Sequence, residues 1–151
     1  MSIRNIVLGV IILIIIYFAF LKGGEVKAPE EVASTPEVTY VNSSADNIVV
    51  ELPFPGAVTG KEFKVIGQAR GPWFFEADFP VEVLDKDGNS LALAIATAEG
   101  EWMTTEFVPF SADITVPESY IGPATLVLYK DNPSDMRELD ASMSFPFVIE
   151  Y

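Results

Sequence analysis

Two hydrophobic regimes divide the chain. From Ile6 to Leu21 sixteen residues run without a charge, an amide or a proline. Counted from Ile3 the stretch is nineteen residues, with Arg4 and Asn5 placed to snorkel back toward headgroups. At ~1.5 Å rise per residue this spans roughly 28 Å, close to the ~30 Å hydrocarbon core of a bilayer. No polar face recurs at helical period, which sets it apart from an interfacial amphipathic helix. The pattern predicts one N-terminal transmembrane helix, with residues 1–22 as anchor. A cleaved secretory signal needs small residues at its end. Here the run closes Tyr17-Phe18-Ala19-Phe20-Leu21-Lys22, so an uncleaved anchor is preferred and a secreted form is the alternative.

Residues 23–45 lose all periodicity. Gly23-Gly24, Pro29, Pro36, Ser34, Ser43, Ser44 and mostly acidic charges give them the composition of a flexible linker. As a tether of ~23 residues they would reach roughly 25 Å, at ~5–6 Å × √n.

From Asp46 onward apolar residues alternate with polar ones in short runs. These are Asn47–Leu52, Glu62–Ala69, Phe79–Leu84, Ser90–Ala98, Trp102–Phe110, Asp113–Val116, Ala124–Lys130 and Ser142–Ile149. The alanines of Ser90–Ala98 suggest helix, but Leu91, Leu93 and Ile95 recur every second residue, which aligns them on a strand. Gly60, Gly71-Pro72, Glu99-Gly100, Pro117, Gly122-Pro123 and Asn132-Pro133 punctuate the runs. Eight short strands without a helical stretch predict an all-β fold over residues 46–151, an immunoglobulin-like antiparallel β-sandwich of two sheets packed face to face.

Composition narrows the chemistry. Nine Lys+Arg against 22 Asp+Glu give a net charge of −13, and the chain has no His and no Cys. Imidazole bases, His-ligated metals, thiol nucleophiles and disulfides are thereby excluded. Such an acidic chain is a poor match for a phosphate backbone, so no nucleic-acid partner is expected. From Asp46 onward six Lys/Arg face eighteen Asp/Glu, a balance of −12. The five residues before Ile6 are short enough to stay in the cytoplasm, which predicts a single-pass protein with its C-terminal domain extracytoplasmic.

Gln68-Ala69-Arg70-Gly71-Pro72-Trp73-Phe74-Phe75-Glu76-Ala77 is the most unusual stretch. Three consecutive aromatics cannot all face one side of a strand. Either Trp73 or Phe74 faces out to seat a sugar or a partner, with Glu76 beside it, or the aromatics plug one end of the sandwich while Arg70 pairs with Glu76. The plug is the preferred reading. Trp102, Phe107 and Phe110 do not share a parity, which points to a bulge or bend near Thr104-Thr105. Trp102 joins the candidate ligand residues, as does Asn132 in the turn Lys130-Asp131-Asn132-Pro133-Ser134-Asp135. Asp85-Lys86-Asp87-Gly88-Asn89 resembles a calcium loop but lacks the remaining ligands, and Asp-Gly between alternating hydrophobics is a hairpin signal. Glu76, Glu99, Glu101 and Glu106 lie near aromatics, yet nothing pairs them across a cleft as glycoside hydrolysis requires. Phosphate-binding loops, dinucleotide fingerprints and nucleophile elbows are absent. No catalytic residue, metal or cofactor is expected.

These stretches also carry a resemblance. Ile48 to Gly56, Val65-Ile66-Gly67-Gln68-Ala69-Arg70-Gly71, Trp73-Phe74-Phe75-Glu76-Ala77, Gly100-Glu101-Trp102-Met103, Phe107-Val108-Pro109-Phe110 and Tyr129-Lys130-Asp131-Asn132-Pro133 occur in that order. Together they resemble the immunoglobulin-like domain of bacterial spore germination, over nearly all of residues 46–151. The resemblance implies an extracytoplasmic sandwich used for binding or assembly rather than catalysis. With an anchor and a tether before the sandwich, in place of the companion domain of the germination proteins, a general envelope role is the expectation. The partners expected are membrane lipid at the helix and an envelope protein or a glycan such as peptidoglycan at the domain.

Overall fold

The computed structural model describes residues 36–134 and 136–151. Nine strands form it: β1 (Thr39–Val41), β2 (Ile48–Leu52), β3 (Val58–Thr59), β4 (Glu62–Arg70), β5 (Asp78–Asp85), β6 (Ser90–Ala98), β7 (Phe107–Thr115), β8 (Gly122–Tyr129) and β9 (Ser142–Ile149). They pair antiparallel in the order β1-β9-β8-β5-β6-β7-β4-β2, and only the two-residue β3 lies parallel, against β9. The domain is thus all-β and, β3 apart, antiparallel. Among the described residues no helix is long and apolar enough to cross a membrane, and the Ile6–Leu21 run lies outside them.

One point of the predicted architecture is corrected. The strands make a single hydrogen-bonded path that folds over on itself, in place of two separate sheets. The corner is the β6–β7 junction, where only Thr97↔Ser111 and Ala98↔Phe110 pair. The fold-over brings β4 against β9, which are not neighbours along the path: the Phe63 and Phe147 rings meet edge-on with centroids 5.5 Å apart. Two pairs at a strand end leave no periodic trace, so alternation alone divides the path into two sheets.

Strand bounds follow the alternation closely where it is unbroken; β6 and β9 span the predicted ranges. Two runs differ. Trp102–Glu106 is loop, and β7 continues through Ser111 and Ala112, where the small Ala112 sits inside opposite Val65. In addition, β1 lies within the 23–45 stretch that reads as linker: Thr39, Tyr40 and Val41 pair with Ser144, Met143 and Ser142. Three residues flanked by Pro36 and two serines are too few to show a period.

The core is one cluster built from large-against-small pairs. Phe79 lies opposite Ala96, Val81 opposite Ala94 and Val83 opposite Ala92 across β5 and β6. The alanines of β6 therefore face inward, where bulky neighbours leave little volume, and Leu93 and Ile95 face out. Phe79 itself packs edge-on against Phe110, centroids 4.8 Å apart.

Candidate functional site

At the end of β4 the chain turns sharply, and Gly71 is what permits it. A Cβ there would collide with the carbonyl oxygens of Thr104 and Trp102, so the 101–106 loop packs directly on bare backbone. Pro72 then starts a 3-10 turn, Gly71–Trp73, for which its fixed φ is suited. The turn directs the Trp73 and Phe74 rings inward onto Phe79, at centroid distances of 6.3 and 5.2 Å. Trp73 is 3% exposed and Phe74 is as well buried, so neither offers a ring face to solvent. They plug this end of the core.

The next turn carries strain. Phe75 and Asp78 exchange backbone hydrogen bonds of 3.0 Å in each direction, with Glu76 at φ 50° and Ala77 at φ 69°. Left-handed backbone at a residue with a Cβ costs roughly 1–2 kcal/mol. The turn leaves Phe75 and Glu76 exposed. Among the described residues Arg70 makes no ion pair with Glu76. Its guanidinium instead donates to the Asp46 carbonyl at 2.8 Å and the Thr105 carbonyl at 3.0 Å, and lies 4.5 Å from the Phe107 ring centre. Two carbonyls and a ring face hold the cation at the rim.

Beside this end the loops 42–47 and 130–141 enclose two adjoining hollows. The first, of about 480 Å³, is lined by Arg70, Pro72, Trp73, Lys130, Glu138 and Leu139, among others. The second, of about 590 Å³, is bordered by Tyr129, Lys130, Asp131, Arg137 and Asp140. Asn42, Lys130 and Ala141 border both, so the two read as one groove. Arg70, Lys130 and Arg137, three of the six cations from Asp46 onward, line it. Glu138, Asp131 and Asp140 line it as well, and Arg137 pairs with Asp140 at 3.3 Å, so the groove is close to charge-balanced within a domain of −12.

Asn132 holds the groove's outer wall. Its amide donates to the Met136 carbonyl at 3.0 Å and to Asp140 Oδ1 at 2.8 Å, and its Oδ1 accepts from the Ser134 hydroxyl at 2.6 Å. The Asn132 amide and then Arg137 hold the Asp140 carboxyl below its ordinary range. Asp131 is moved the other way: burial, then the nearby Asp78 and Glu76 carboxylates, raise it. Asn132 is therefore a clamp within the loop.

The five sequence candidates divide accordingly. Trp73 borders the groove, Asn132 borders its second hollow, and Phe74 and Trp102 meet in a separate shallow hollow over Pro72 and Thr104. Glu76 stands on the exposed turn. The sequence alone singles out Arg70 as a partner for Glu76 and Lys130 as a turn residue, and gives Arg137 no role. The available signal was clustering: turn-rich loops at one end of a sandwich are where binding residues gather. At the far hairpin, Asp85 accepts from the Asp87 and Asn89 amides at 2.8 Å and from the Asn89 side chain at 3.0 Å. Its carboxylate closes the turn. Among the described residues no three acidic side chains are placed to hold a metal.

Residues 47–137, more than half of the chain, match the family described as the immunoglobulin-like domain of bacterial spore germination. No curated protein and no solved structure matches.

Proposed function

The chain belongs to the immunoglobulin-like domain family of bacterial spore germination, and from that premise we propose that it is a non-catalytic binding module of the cell envelope. The Ile6–Leu21 run anchors it in the membrane with its N-terminus inside, and the domain stands outside within reach of the bilayer. There its groove takes a polar segment of an envelope protein. The observation that carries this reading is the groove itself: three cations balanced by Glu138, Asp131 and Asp140 around an apolar floor of Pro72 and Leu139, in a domain that is otherwise strongly acidic. A polar rim around an apolar floor is the usual anatomy of a protein-binding site.

A peptidoglycan-binding module is the second reading. Sugar binding through stacked rings would need exposed aromatic faces in the groove; Trp73 is buried there and the exposed Phe75 does not line it, which favours the protein partner. Two measurements test the proposal. Externally added protease should digest the domain on intact cells of an expressing strain while a membrane-held N-terminal fragment survives; release of the whole chain into the medium would instead support the secreted form. Co-sedimentation of the full chain with purified peptidoglycan should be weak and unaffected by Lys130→Glu; saturable pelleting lost in that variant would establish the glycan reading.

A further inference from the structure

The chain enters the domain beside an apolar turn. Pro36 packs so closely on Gly56 that a Cβ there would collide with the proline ring. Gly56 belongs to a turn in which the Ala57 amide donates to the Phe54 carbonyl at 2.9 Å. Its own amide donates to the Pro146 carbonyl of β9 at 2.8 Å, which fixes the turn to the sheet. Pro53 and Pro55, on either side of Phe54, restrict the backbone further. Nine residues, Leu52 to Gly60, carry no charge. Among them Leu52 is 50%, Phe54 59% and Val58 49% exposed. Side chains held out on so rigid a turn lose little freedom when something covers them.

We infer that this turn, with Phe54 at its tip, docks on the lipid surface of the membrane. The inference rests on the reading of Ile6–Leu21 as a membrane anchor. Lipid is selected as the occupant by the length of chain before the domain and by where that chain arrives. Pro36 and β1 already belong to the domain, so fourteen residues, 22–35, lie between Leu21 and Pro36. As flexible chain they reach roughly 20 Å, at ~5–6 Å × √n. The surface at the end of so short a leash meets the bilayer at an effective concentration on the order of millimolar, and a modest apolar contact is then enough. Phe and Leu are side chains suited to the boundary between headgroups and acyl chains. Glu37 and Glu51 border the turn, both exposed, in a domain of −12. The contact is therefore apolar and favours zwitterionic over anionic lipid. No residue lining the groove belongs to this turn, so docking leaves those residues uncommitted.

The absence of cysteine makes site-directed labelling direct. The full chain would be reconstituted in phosphatidylcholine vesicles that carry a quencher on their headgroups, with a fluorescent dye on Phe54→Cys, Val58→Cys or Leu93→Cys. Leu93, 69% exposed, is the control, because β6 lies at the corner with β7, across the fold from the β1 and β2 ends of the path. The expected result is several-fold stronger quenching at positions 54 and 58 than at 93. Adding Phe54→Asp, with unchanged circular dichroism, should abolish the quenching at 58, and mixing in phosphatidylglycerol should weaken it. Equal quenching at all three positions, quenching at 58 that survives Phe54→Asp, or stronger quenching on anionic vesicles would each overturn the inference and leave the anchor standing. A chain stripped from the vesicles by alkaline carbonate would overturn the anchor, and this inference with it.

Discussion

The Tyr40 hydroxyl donates a 3.3 Å hydrogen bond to the Ile48 carbonyl oxygen. Tyr40 lies in β1 and Ile48 in β2, the two ends of the sheet path, so this contact ties the first-paired strand to the last. Burial raises the Tyr40 hydroxyl above its ordinary titration range, which keeps it protonated as a donor. Tyr40→Phe removes the bond and leaves the ring. The expected loss is about 0.5–1.5 kcal/mol in urea unfolding, with an unchanged dependence on denaturant. An unaltered midpoint would show that the two ends hold without it.

Gly71 is predicted to be intolerant for a reason unrelated to φ. The Thr104 and Trp102 carbonyls occupy the space a side chain would need. Gly71→Ala should therefore push the 101–106 loop away and cost about 1–3 kcal/mol, read by thermal unfolding. Gly88, at φ 83° with nothing near its Cβ position, provides the contrast. Gly88→Asn, tolerant of left-handed backbone, should cost far less.

Phe79 is the side chain on which Trp73, Phe74 and Phe110 converge. Phe79→Ala should cost about 3–5 kcal/mol and alter the near-ultraviolet signal of the aromatic cluster. Leu93→Ala on the exposed face of neighbouring β6 should change the stability of the domain within about 0.5 kcal/mol. Equal losses at the two positions would contradict the inward placement of the β6 alanines.

That placement marks the limit of what alternation reveals. Period-two spacing locates β6 and β9 to the residue, because both runs are uninterrupted, but it does not say which parity faces inward. Here volume decides: Phe79, Val81 and Val83 fill the space beneath β6, so Ala92, Ala94 and Ala96 fit and leucine does not. The aromatic plug was legible, since three consecutive aromatics at a glycine–proline turn have few other resting places. The groove was not. Lys130, Arg137 and Arg70 lie far apart in sequence and converge only because β4 and β8 end on the same side of the fold.

Asp131 sets a pH dependence of definite sign. Its folded pKa is raised, first by burial and then by Asp78 and Glu76, so the charged form is disfavoured in the folded state at neutral pH. That penalty disappears as pH falls through the raised value toward the ordinary 3.8. Asp131→Asn should therefore be more stable than the unsubstituted chain at neutral pH, with the difference shrinking on acidification. Asp140 runs the opposite way: its pKa is lowered by Asn132 and Arg137, so its contribution is present above 3.8 and is lost only as pH falls through the depressed value. A gap between Asp131→Asn and the unsubstituted chain that grows on acidification would contradict this assignment.

Photo-crosslinking in living cells tests whether the groove is a protein-binding site. A photoreactive amino acid would replace Leu139, half-exposed on the groove floor, or Glu118, in the β7–β8 loop at the opposite end of the fold. One discrete protein adduct is expected from the Leu139 position, lost on adding Lys130→Glu and absent from the Glu118 position. Equal adducts from both positions, or an adduct from Leu139 that Lys130→Glu leaves intact, would contradict it.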